Sequence, residues 1–245
     1  MSMKRMLAAI LMMAGILCLC MAAKEEWPYV VEKLKELEVR NAYVQEDEGE
    51  GGYPAELERQ IDFTGLKRVN PDIVAWIYVP GTPIDYPVLK NPYDNYYLTH
   101  DFEGAYSKLG AIFMQAAASE DFVQRHTILY GHNMASGQMF GRLKWYAQKE
   151  FRDAHPYIYI YQPKQTLRCR VYSVYECLDG SDTYQTVFSD DKEYHLWQQM
   201  TAASDDAQTT VPSRKEQVLT LSTCTDSGYM KRLVVHSVIE RYVRP

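Results

Sequence analysis

Short runs of β-branched and aromatic residues, separated by turn residues, follow one another along the chain from Tyr53 onward. Their length suits strands better than helices, and the pattern is typical of an all-β barrel or sandwich. Residues 79–83 (VPGTP) form a turn between the first two runs, because proline presets φ and glycine tolerates positive φ. The predicted strands are Ile73–Val79, Ile84–Leu89, Ala111–Met114, Thr127–Tyr130, Tyr157–Tyr161, Thr166–Cys177, Gln217–Thr223 and Arg232–Arg241. We therefore expect a mainly β fold.

Helices are predicted as short insertions among these strands. The insertions are Ala55–Leu66, Met139–Ala147 and Asp191–Ala203, with a helical turn around Tyr93–Tyr97. The 245 residues are 47% hydrophobic and 24% charged, which provides enough apolar material for one principal core. A net charge of -6 without an arginine-rich run offers no surface for nucleic acid, so nucleic acid is not an expected partner.

The N-terminal segment differs from the rest of the chain. Lys4 and Arg5 precede Met6–Ala23, eighteen residues without a charge. A helix of that length spans roughly 27 Å, close to the hydrocarbon layer of a bilayer at about 30 Å. The positive pair favours a cytoplasmic N-terminus, which would place the chain beyond residue 24 outside the cytoplasm as a single-pass membrane protein. A removable signal peptide is the alternative, since residues 20–22 offer small side chains for cleavage.

The segment after this apolar run predicts a stalk. Residues 24–42 carry apolar side chains near the helical repeat, which indicates an amphipathic helix. The acidic, glycine-rich residues 46–52 (EDEGEGG) read as a linker. The predicted organisation is therefore 1–23 as membrane anchor or uncleaved signal, 24–52 as stalk helix and linker, and 53–245 as the main domain.

Three of the five cysteines fall in the exported part of this prediction: Cys169, Cys177 and Cys224. The first two lie on one predicted strand, where eight residues at ~3.3 Å each separate them by roughly 26 Å, so they should not form a disulfide. An unpaired cysteine in an exported chain is either a small buried hydrophobe or a working thiol.

Cys224 is the candidate for a working thiol. It follows an alternating strand, Thr220-Leu221-Ser222-Thr223, and precedes the turn-forming residues 225–228 (TDSG). A short connection makes the next strand its neighbour, which brings Arg232 within plausible reach of Cys224. Arginine stays charged, and its planar group of donors suits an oxyanion or a peptide carbonyl.

A histidine occupies a similar position elsewhere. Leu129-Tyr130-Gly131-His132 is a hydrophobic strand that ends in a reactive residue type beside glycine. Cysteine attacks as a thiolate, and a nearby imidazolium both stabilises the thiolate and can protonate a departing amine. Cysteine, histidine and arginine together would suffice for acyl transfer.

The other histidines receive structural interpretations. His100 is expected to be hydrogen-bonded beside the site, His236 to be a satisfied core or face histidine, and His126, His155 and His195 to be ordinary loop or surface residues. The chain contains no CxxC pair, HExxH helix, GxGxxG or P-loop motif, so neither a metal site nor a cofactor is expected.

The segments around these residues resemble the sortases, and class B in particular. TLSTC, LYGHNM and KRLVV look like the family's three active-site blocks, and residues 70–88 (NPDIVAWIYVPGTPIDYPV) and 96–114 (YYLTHDFEGAYSKLGAIFM) are similar to class B members. The resemblance covers most of Pro71–Val243, and the helix Asp191–Ala203 also fits class B. It implies an eight-stranded sortase-type β-barrel on the surface of a Gram-positive bacterium, with 53–245 as the catalytic domain.

The resemblance also implies roles for individual residues. Cys224 would attack the carbonyl of a threonine in a C-terminal sorting signal, His132 would protonate the leaving amine, and Arg232 would hold the carbonyl or oxyanion. The substrate-binding residues carried over from the family are Tyr130, Ser222, Leu98 and Thr186. Thr225 departs from class B members that carry an acid after the cysteine, which leaves the turn's contact with substrate open.

The expected function is that of a cysteine transpeptidase. A thioester on Cys224 would be resolved by an amine of the peptidoglycan precursor, so that surface proteins with an Asn-Pro-x-Thr-like signal become attached to the cell wall. A class B sortase that polymerises pilins would use a pilin lysine instead, and a cysteine endopeptidase would use water. A catalytically silent binding module would retain the barrel alone.

Overall fold

A computed structural model describes residues 12–13, 21, 27–46, 54–93, 95–204, 210–225 and 230–242, with the Cys224 side chain outside the described part. The chain divides into two compact units, Met1–Val39 and Arg40–Pro245. A helix, α1, covers residues 27–43, close to the predicted 24–42. The predicted anchor Met6–Ala23, apart from residues 12, 13 and 21, and most of the linker 46–52 lie outside the described residues.

Ten strands follow α1 in the described chain. β1 (Val44–Gln45) and β2 (Gln60–Ile61) form a small antiparallel pair. The other eight close into a barrel in the order β10-β8-β7-β3-β4-β5-β6-β9. They are β3 (Ile73–Tyr78), β4 (Asp85–Leu89), β5 (Ile112–Met114), β6 (His126–Tyr130), β7 (Tyr157–Tyr161), β8 (Thr166–Leu178), β9 (Val218–Cys224) and β10 (Lys231–Tyr242). This confirms the predicted eight-stranded barrel with an N-terminal helix.

Short helices connect the strands. They are α2 (Ala55–Glu58), α3 (Phe63–Val69), α4 (Lys149–Ala154) and α5 (Asp191–Ala203), with 3-10 helices at Tyr96–Leu98, Leu143–Ala147 and Asp182–Tyr184. α5 has the predicted bounds, and the side chain of Asp190 caps it by accepting a hydrogen bond from the Glu193 amide. Within the described residues, no helix has both the length and the hydropathy needed to cross a membrane.

The prediction of one helix over Ala55–Leu66 was wrong. The helix ends at Glu58 because Arg59 turns into an extended conformation, and its guanidinium donates to both carboxylate oxygens of Asp85 at 2.9 and 2.7 Å. A second helix then begins at Phe63, capped by Asp62, whose carboxylate accepts from the Gly65 amide. A largely buried ion pair with a residue 26 positions along the chain therefore interrupts a locally helical pattern.

The predicted helix Met139–Ala147 also begins later than expected. Met139 has a positive φ of 50°, a conformation outside the helical range, and the 3-10 helix starts at Leu143. The Phe140 amide instead donates to the carbonyl of His132 at 3.0 Å, which ties this turn to the segment that follows β6. The irregular turn thus supports the backbone of a predicted site residue.

Large apolar side chains are buried on both faces of the barrel strands. Trp76, Ile77, Tyr161, Leu129 and Leu221 are fully enclosed, with relative exposures of 0%. Burial of this kind stabilises a side chain by about 1.5 to 3 kcal/mol for each large residue. The packed barrel therefore provides rigid strand ends on which a site can be built.

Candidate active site

β9 and β10 set the position of two predicted site residues. In their antiparallel ladder Cys224 is the partner of Arg232, at the last position of β9 and the second of β10. Directly opposed residues of such a ladder have Cα atoms about 4.5 to 5.5 Å apart. The backbone positions of the predicted nucleophile and the predicted arginine are therefore adjacent, as the short connection between their strands indicated.

β6 brings the third residue to the same end of the barrel. It runs parallel to β9 with Tyr130 opposite Ser222, and the Gly131 amide continues the pairing by donating to the Ser222 carbonyl at 3.2 Å. A Cβ atom on Gly131 would lie 2.5 Å from Ile112 and 2.9 Å from Phe140, so the close packing here requires glycine. His132 follows directly and reaches the rim of the barrel beside the end of β9.

The imidazole of His132 has a defined hydrogen bond. Its Nε2 lies 2.7 Å from the backbone carbonyl oxygen of Leu98. A carbonyl oxygen only accepts, so Nε2 carries the hydrogen, and in the neutral ring Nδ1 is then the nitrogen with a free lone pair. The ring is thus oriented by a backbone group, as a catalytic base is oriented by a third group in other cysteine and serine enzymes.

The loop that carries Leu98 is itself well held. Leu98 ends the 3-10 helix Tyr96–Leu98, and the preceding Tyr97 is buried and donates its hydroxyl to Asp72 at 2.8 Å. Gly110 has a positive φ of 60°, and a Cβ atom there would lie 2.4 Å from the Tyr97 carbonyl oxygen.

His100 has the structural role expected for it. Its ring stacks on Tyr96 with ring centroids 4.1 Å apart, and its Nδ1 is hydrogen-bonded to the Tyr96 carbonyl.

These elements surround a pocket of about 300 Å³. Five of the predicted site residues line it: Leu98, Tyr130, His132, Ser222 and Arg232. The remaining lining residues, which the sequence prediction did not include, are Asn95, Phe113, Gly131, Asp179 and Thr223. Since β9 ends at Cys224 beside Thr223, the pocket lies at the backbone position of the predicted nucleophile.

Arg232 has an acidic neighbour in this pocket. Its Nη2 donates to Oδ2 of Asp179 at 2.9 Å, and its Nη1 to the carbonyl of Lys231 at 3.3 Å. Asp179 directly follows β8, the strand on the other side of β10. The only signal in the sequence was its place two residues beyond the predicted strand Thr166–Cys177, which does not distinguish it from other turn carboxylates.

Aromatic rings form one wall of the site. Tyr130 stacks on Phe113 with centroids 5.4 Å apart and on Tyr184 with centroids 6.5 Å apart. The Tyr184 hydroxyl lies 2.8 Å from the Ser222 hydroxyl, and burial raises the pKa of this phenol. Tyr184 belongs to the 3-10 helix before α5 and was not predicted from the sequence, because its contacts depend on how that insertion folds back.

Thr186 is placed differently from the other predicted residues. It lies two residues after Tyr184, is half-buried, and is not among the residues that line the pocket. Its predicted role in binding substrate therefore continues to depend on the resemblance alone.

The two other cysteines in the described part of the chain do not line the pocket. Cys169 and Cys177 are both free and lie on β8, as the spacing predicted. Cys169 is buried, and desolvation raises the pKa of its thiol, which suits an inert core residue. Within the part of the chain that the structure describes, no group of three or more His, Cys, Asp or Glu side chains could hold a metal ion.

His126 corrects a further expectation from the sequence. Predicted as an ordinary loop or surface residue, it begins β6 and has a relative exposure of 0%. The buried strand begins one residue before the predicted Thr127. His126 can be enclosed there because its imidazole has hydrogen-bond partners inside the protein, the Gln185 carbonyl and the Thr220 hydroxyl. His236, expected as a satisfied core or face histidine, is likewise fully enclosed, with bonds to Thr220 and Tyr175.

Comparison with known proteins agrees with this geometry. Residues 77–240 match the family described as Sortase domain. Sortase B of Listeria monocytogenes is 32% identical over 173 residues, covering 69% of this chain and 70% of the relative. Sortase B of Staphylococcus aureus is 32% identical over 179 residues, covering 71% and 72%.

Solved structures give the same result. Sortase B from B. anthracis superposes with a TM-score of 0.76 at 30% identity, covering 89% of this chain and 99% of that one. A Staphylococcus aureus sortase B-substrate complex superposes with a TM-score of 0.69 at 31% identity, covering 73% and 84%. The chain belongs to the sortase family, and its relatives are class B sortases. It is accordingly a cysteine transpeptidase of a family associated with the bacterial cell surface.

Proposed function

We propose that this chain cleaves a C-terminal sorting signal after its threonine and transfers the threonyl acyl group from Cys224 to an amine of the cell-wall precursor. The observation that carries this proposal is the meeting of β6, β9 and β10 at one pocket. His132 and Arg232 both line that pocket, and Cys224 is the ladder partner of Arg232. This arrangement supports a site built from two distant segments of the chain, one with His132 and one with Cys224 and Arg232.

In the first step the Cys224 thiolate attacks the threonine carbonyl carbon, and the C=O π electrons move to the oxygen. Arg232 donates N–H groups to that oxyanion, which is where charge develops in the transition state. The amide C–N bond then breaks, and the leaving nitrogen takes a proton from the imidazolium of His132. A thioester and a free amine result.

The hydrogen bond to Leu98 specifies which nitrogen of His132 transfers the proton. Nε2–H stays bound to the Leu98 carbonyl in both protonation states, so Nδ1 is the atom that gives up the proton. After the first step the neutral ring has its lone pair on Nδ1. That atom accepts a proton from the incoming amine as it attacks the thioester, and the cycle returns the thiolate and the imidazolium.

The pocket wall supplies the contacts for a peptide. Leu98, Tyr130 and Ser222 line it together with Phe113, which stacks on the Tyr130 ring, so the pocket offers both apolar and hydroxyl surface. Thr186, assigned by resemblance, would extend the groove beyond Tyr184. Class B similarity favours an Asn-Pro-x-Thr-like signal on a surface protein. The stretch 1–23 would anchor the enzyme in the membrane, with 24–52 as stalk and linker and the catalytic domain 53–245 outside the cell.

Two alternative acceptors define the competing functions. A pilin-polymerising enzyme would use a lysine side chain of another pilin, and an endopeptidase would use water. Arg232 and His132 would act identically in all three reactions, because they act on the acyl group and the proton. Only the acceptor distinguishes them.

The test is a peptide library incubated with the full chain, with and without triglycine or a pilin lysine peptide, and analysed by mass spectrometry. We expect a new amide between the threonine of an Asn-Pro-x-Thr-like peptide and triglycine, absent in Cys224→Ala. Cys169→Ala, at the buried free cysteine of β8 outside the pocket lining, is the matched control and should keep full activity. Hydrolysis unaffected by either amine would favour an endopeptidase, and turnover by Cys224→Ala equal to wild type would overturn the proposal.

A further inference from the structure

The carboxylate of Asp179 is bound to the arginine of the site. Asp179 Oδ2 accepts from Arg232 Nη2 at 2.9 Å, and Asp179 is the acidic member of the described pocket lining. The side chains of Arg232 and Asp179 retain 27% and 43% of their exposure. The pair therefore lies at the mouth of the pocket, in contact with both the site and solvent.

The backbone of Asp179 is fixed relative to Arg232. β8 and β10 are paired with Leu178 opposite Lys231, and the Asp179 amide extends the ladder by donating to the Met230 carbonyl at 2.8 Å. The carboxylate thus projects from a residue that is hydrogen-bonded to the strand carrying Arg232. Asp179 has only two side-chain torsions, so its carboxylate stays close to this ladder and gives the longer Arg232 side chain a fixed partner.

The two anchors of the guanidinium determine its orientation. Arg232 donates one hydrogen bond from Nη2 to the Asp179 carboxylate and one from Nη1 to the Lys231 carbonyl. Each terminal nitrogen of the guanidinium is therefore bound to another group of the protein. The guanidinium is planar and has further N–H donors, which remain for an oxygen atom in the pocket. An arginine without the carboxylate would have several rotamers of similar energy at this partly exposed position.

We infer that Asp179 is a positioning residue that aims Arg232 at the developing oxyanion. This inference rests on the proposed function, in which Arg232 stabilises the tetrahedral intermediate. An ion pair this exposed contributes little to folding. Its effect should therefore appear in the rate of the chemical step and not in the stability of the fold.

The kinetic signature follows from where the charge develops. The oxyanion exists in the transition state and not in the bound peptide, so loss of alignment lowers kcat and leaves KM for the peptide nearly unchanged. Misplacement of an oxyanion donor costs less than its removal, which in comparable sites is on the order of a hundredfold or more. We expect Asp179→Ala to lower kcat about tenfold, and Asp179→Asn, which keeps a neutral acceptor, to lower it less.

The test is a double-mutant cycle on the full chain. Transfer to triglycine is measured for wild type, Asp179→Ala, Arg232→Ala and the double variant, together with the thermal midpoint of each. We expect Asp179→Ala to add nothing in the Arg232→Ala background, because a positioning residue acts only through its partner. Asp153→Ala, which removes the exposed Asp153–Lys149 pair of α4 away from the pocket lining, is the matched control and should be neutral.

Four results would overturn the inference. They are a wild-type rate for Asp179→Ala, an increased rate, an undiminished effect in the Arg232→Ala background, and a fall in the thermal midpoint that accounts for the lost activity. The proposed function fails in a different way, through absence of transfer by wild type or full activity of Arg232→Ala. The two failures are therefore distinguishable within one set of measurements.

Discussion

His126 and His132 lie at opposite ends of β6, and their environments differ sharply. His126 is the first residue of the strand, fully enclosed, with both ring nitrogens within 2.7 Å of a partner. His132 lies two residues beyond the strand, half-buried, and within the described residues only its Nε2 has a hydrogen-bond partner. A histidine can exchange a proton with a substrate only when one of its ring nitrogens is not already bound to a group of the protein.

The two enclosed histidines, His126 and His236, belong to one chain of hydrogen bonds in which all donors point toward Gln185. The Gln185 carbonyl only accepts, so His126 donates through Nδ1 and its Nε2 accepts from Thr220. The Thr220 oxygen then accepts from Nδ1 of His236, whose Nε2 accepts from the Tyr175 hydroxyl at 3.1 Å. Each donor meets one acceptor when both rings are neutral.

Burial agrees with that arrangement. Desolvation lowers the pKa of His126 to about 4 and that of His236 well below its ordinary value. Aromatic rings pack against the pair, with Trp197 next to both imidazoles and Tyr172 next to His236. One strand thus carries an enclosed histidine for stability at one end and an open histidine for chemistry at the other.

The largest effect should come from the open histidine. His132→Gln is expected to lower kcat/KM for transfer about a thousandfold, within the range that general acid–base groups contribute, and to leave the thermal midpoint unchanged. His195→Gln on α5, outside the pocket lining, is the matched control. A His132→Gln variant with wild-type kcat/KM would remove the distinction between the two histidines.

The next largest effect should come from the link between the enclosed rings. Thr220→Val leaves His126 Nε2 and His236 Nδ1 without partners and should reduce the free energy of unfolding by about 2 to 4 kcal/mol, measured by chemical denaturation. Thr127→Val is the matched control, since Thr127 is equally buried and its hydroxyl has no hydrogen-bond partner among the described groups. Equal stabilities of the two variants would contradict the account of the chain.

Acid should destabilise the fold through the same rings. An unfolded histidine has a pKa of ~6.5, and folding lowers that of His126 to about 4, so below pH 6.5 the unfolded state binds more protons. The free energy of unfolding should fall between pH 6.5 and 5, by about 2 kcal/mol for His126 alone at ~1.36 kcal/mol per pKa unit. Denaturant titrations at pH 7.5, 6.5, 5.8 and 5 measure this. A flat profile would show that the rings are not held neutral.

The smallest effect should come from Tyr184, in the aromatic wall of the site. Tyr184→Phe removes the hydrogen bond to Ser222 and should raise KM for the peptide about fivefold, since one such bond is worth roughly 0.5 to 1.5 kcal/mol. Tyr146→Phe removes a comparable bond to the His155 carbonyl away from the pocket lining, and should change stability without changing KM. Identical KM values for the two variants would show that Tyr184 does not contribute to peptide binding.

The strands were predictable because their signals are local, whereas the choice of a barrel over a sandwich came from the family resemblance. Short β-branched and aromatic runs separated by turn residues identified all eight barrel strands. Three distant contacts were not predictable. Arg59 leaves its helix for Asp85, His126 is enclosed by Gln185 and Thr220, and the pocket carboxylate Asp179 is defined by its approach to Arg232. No periodic pattern records such contacts.

For the site itself, strand ends were the informative feature. His132 and Arg232 were predicted from their places at the ends of hydrophobic segments, and the family resemblance supplied their roles. Tyr184 was missed because its contact with Ser222 depends on the fold of an irregular insertion. The Cys224 side chain lies outside the described residues, so its role as nucleophile remains a prediction.

Intact-protein mass spectrometry of the full chain with an Asn-Pro-x-Thr-like sorting peptide tests the central claim most directly. Without an amine we predict an adduct with the mass of the threonyl fragment, mapped to Cys224 and labile to hydroxylamine, which disappears as triglycine is added and the peptide–triglycine amide forms. Steady turnover in the presence of triglycine, with no adduct on Cys224 at any time and equal rates in Cys224→Ala, would contradict the account.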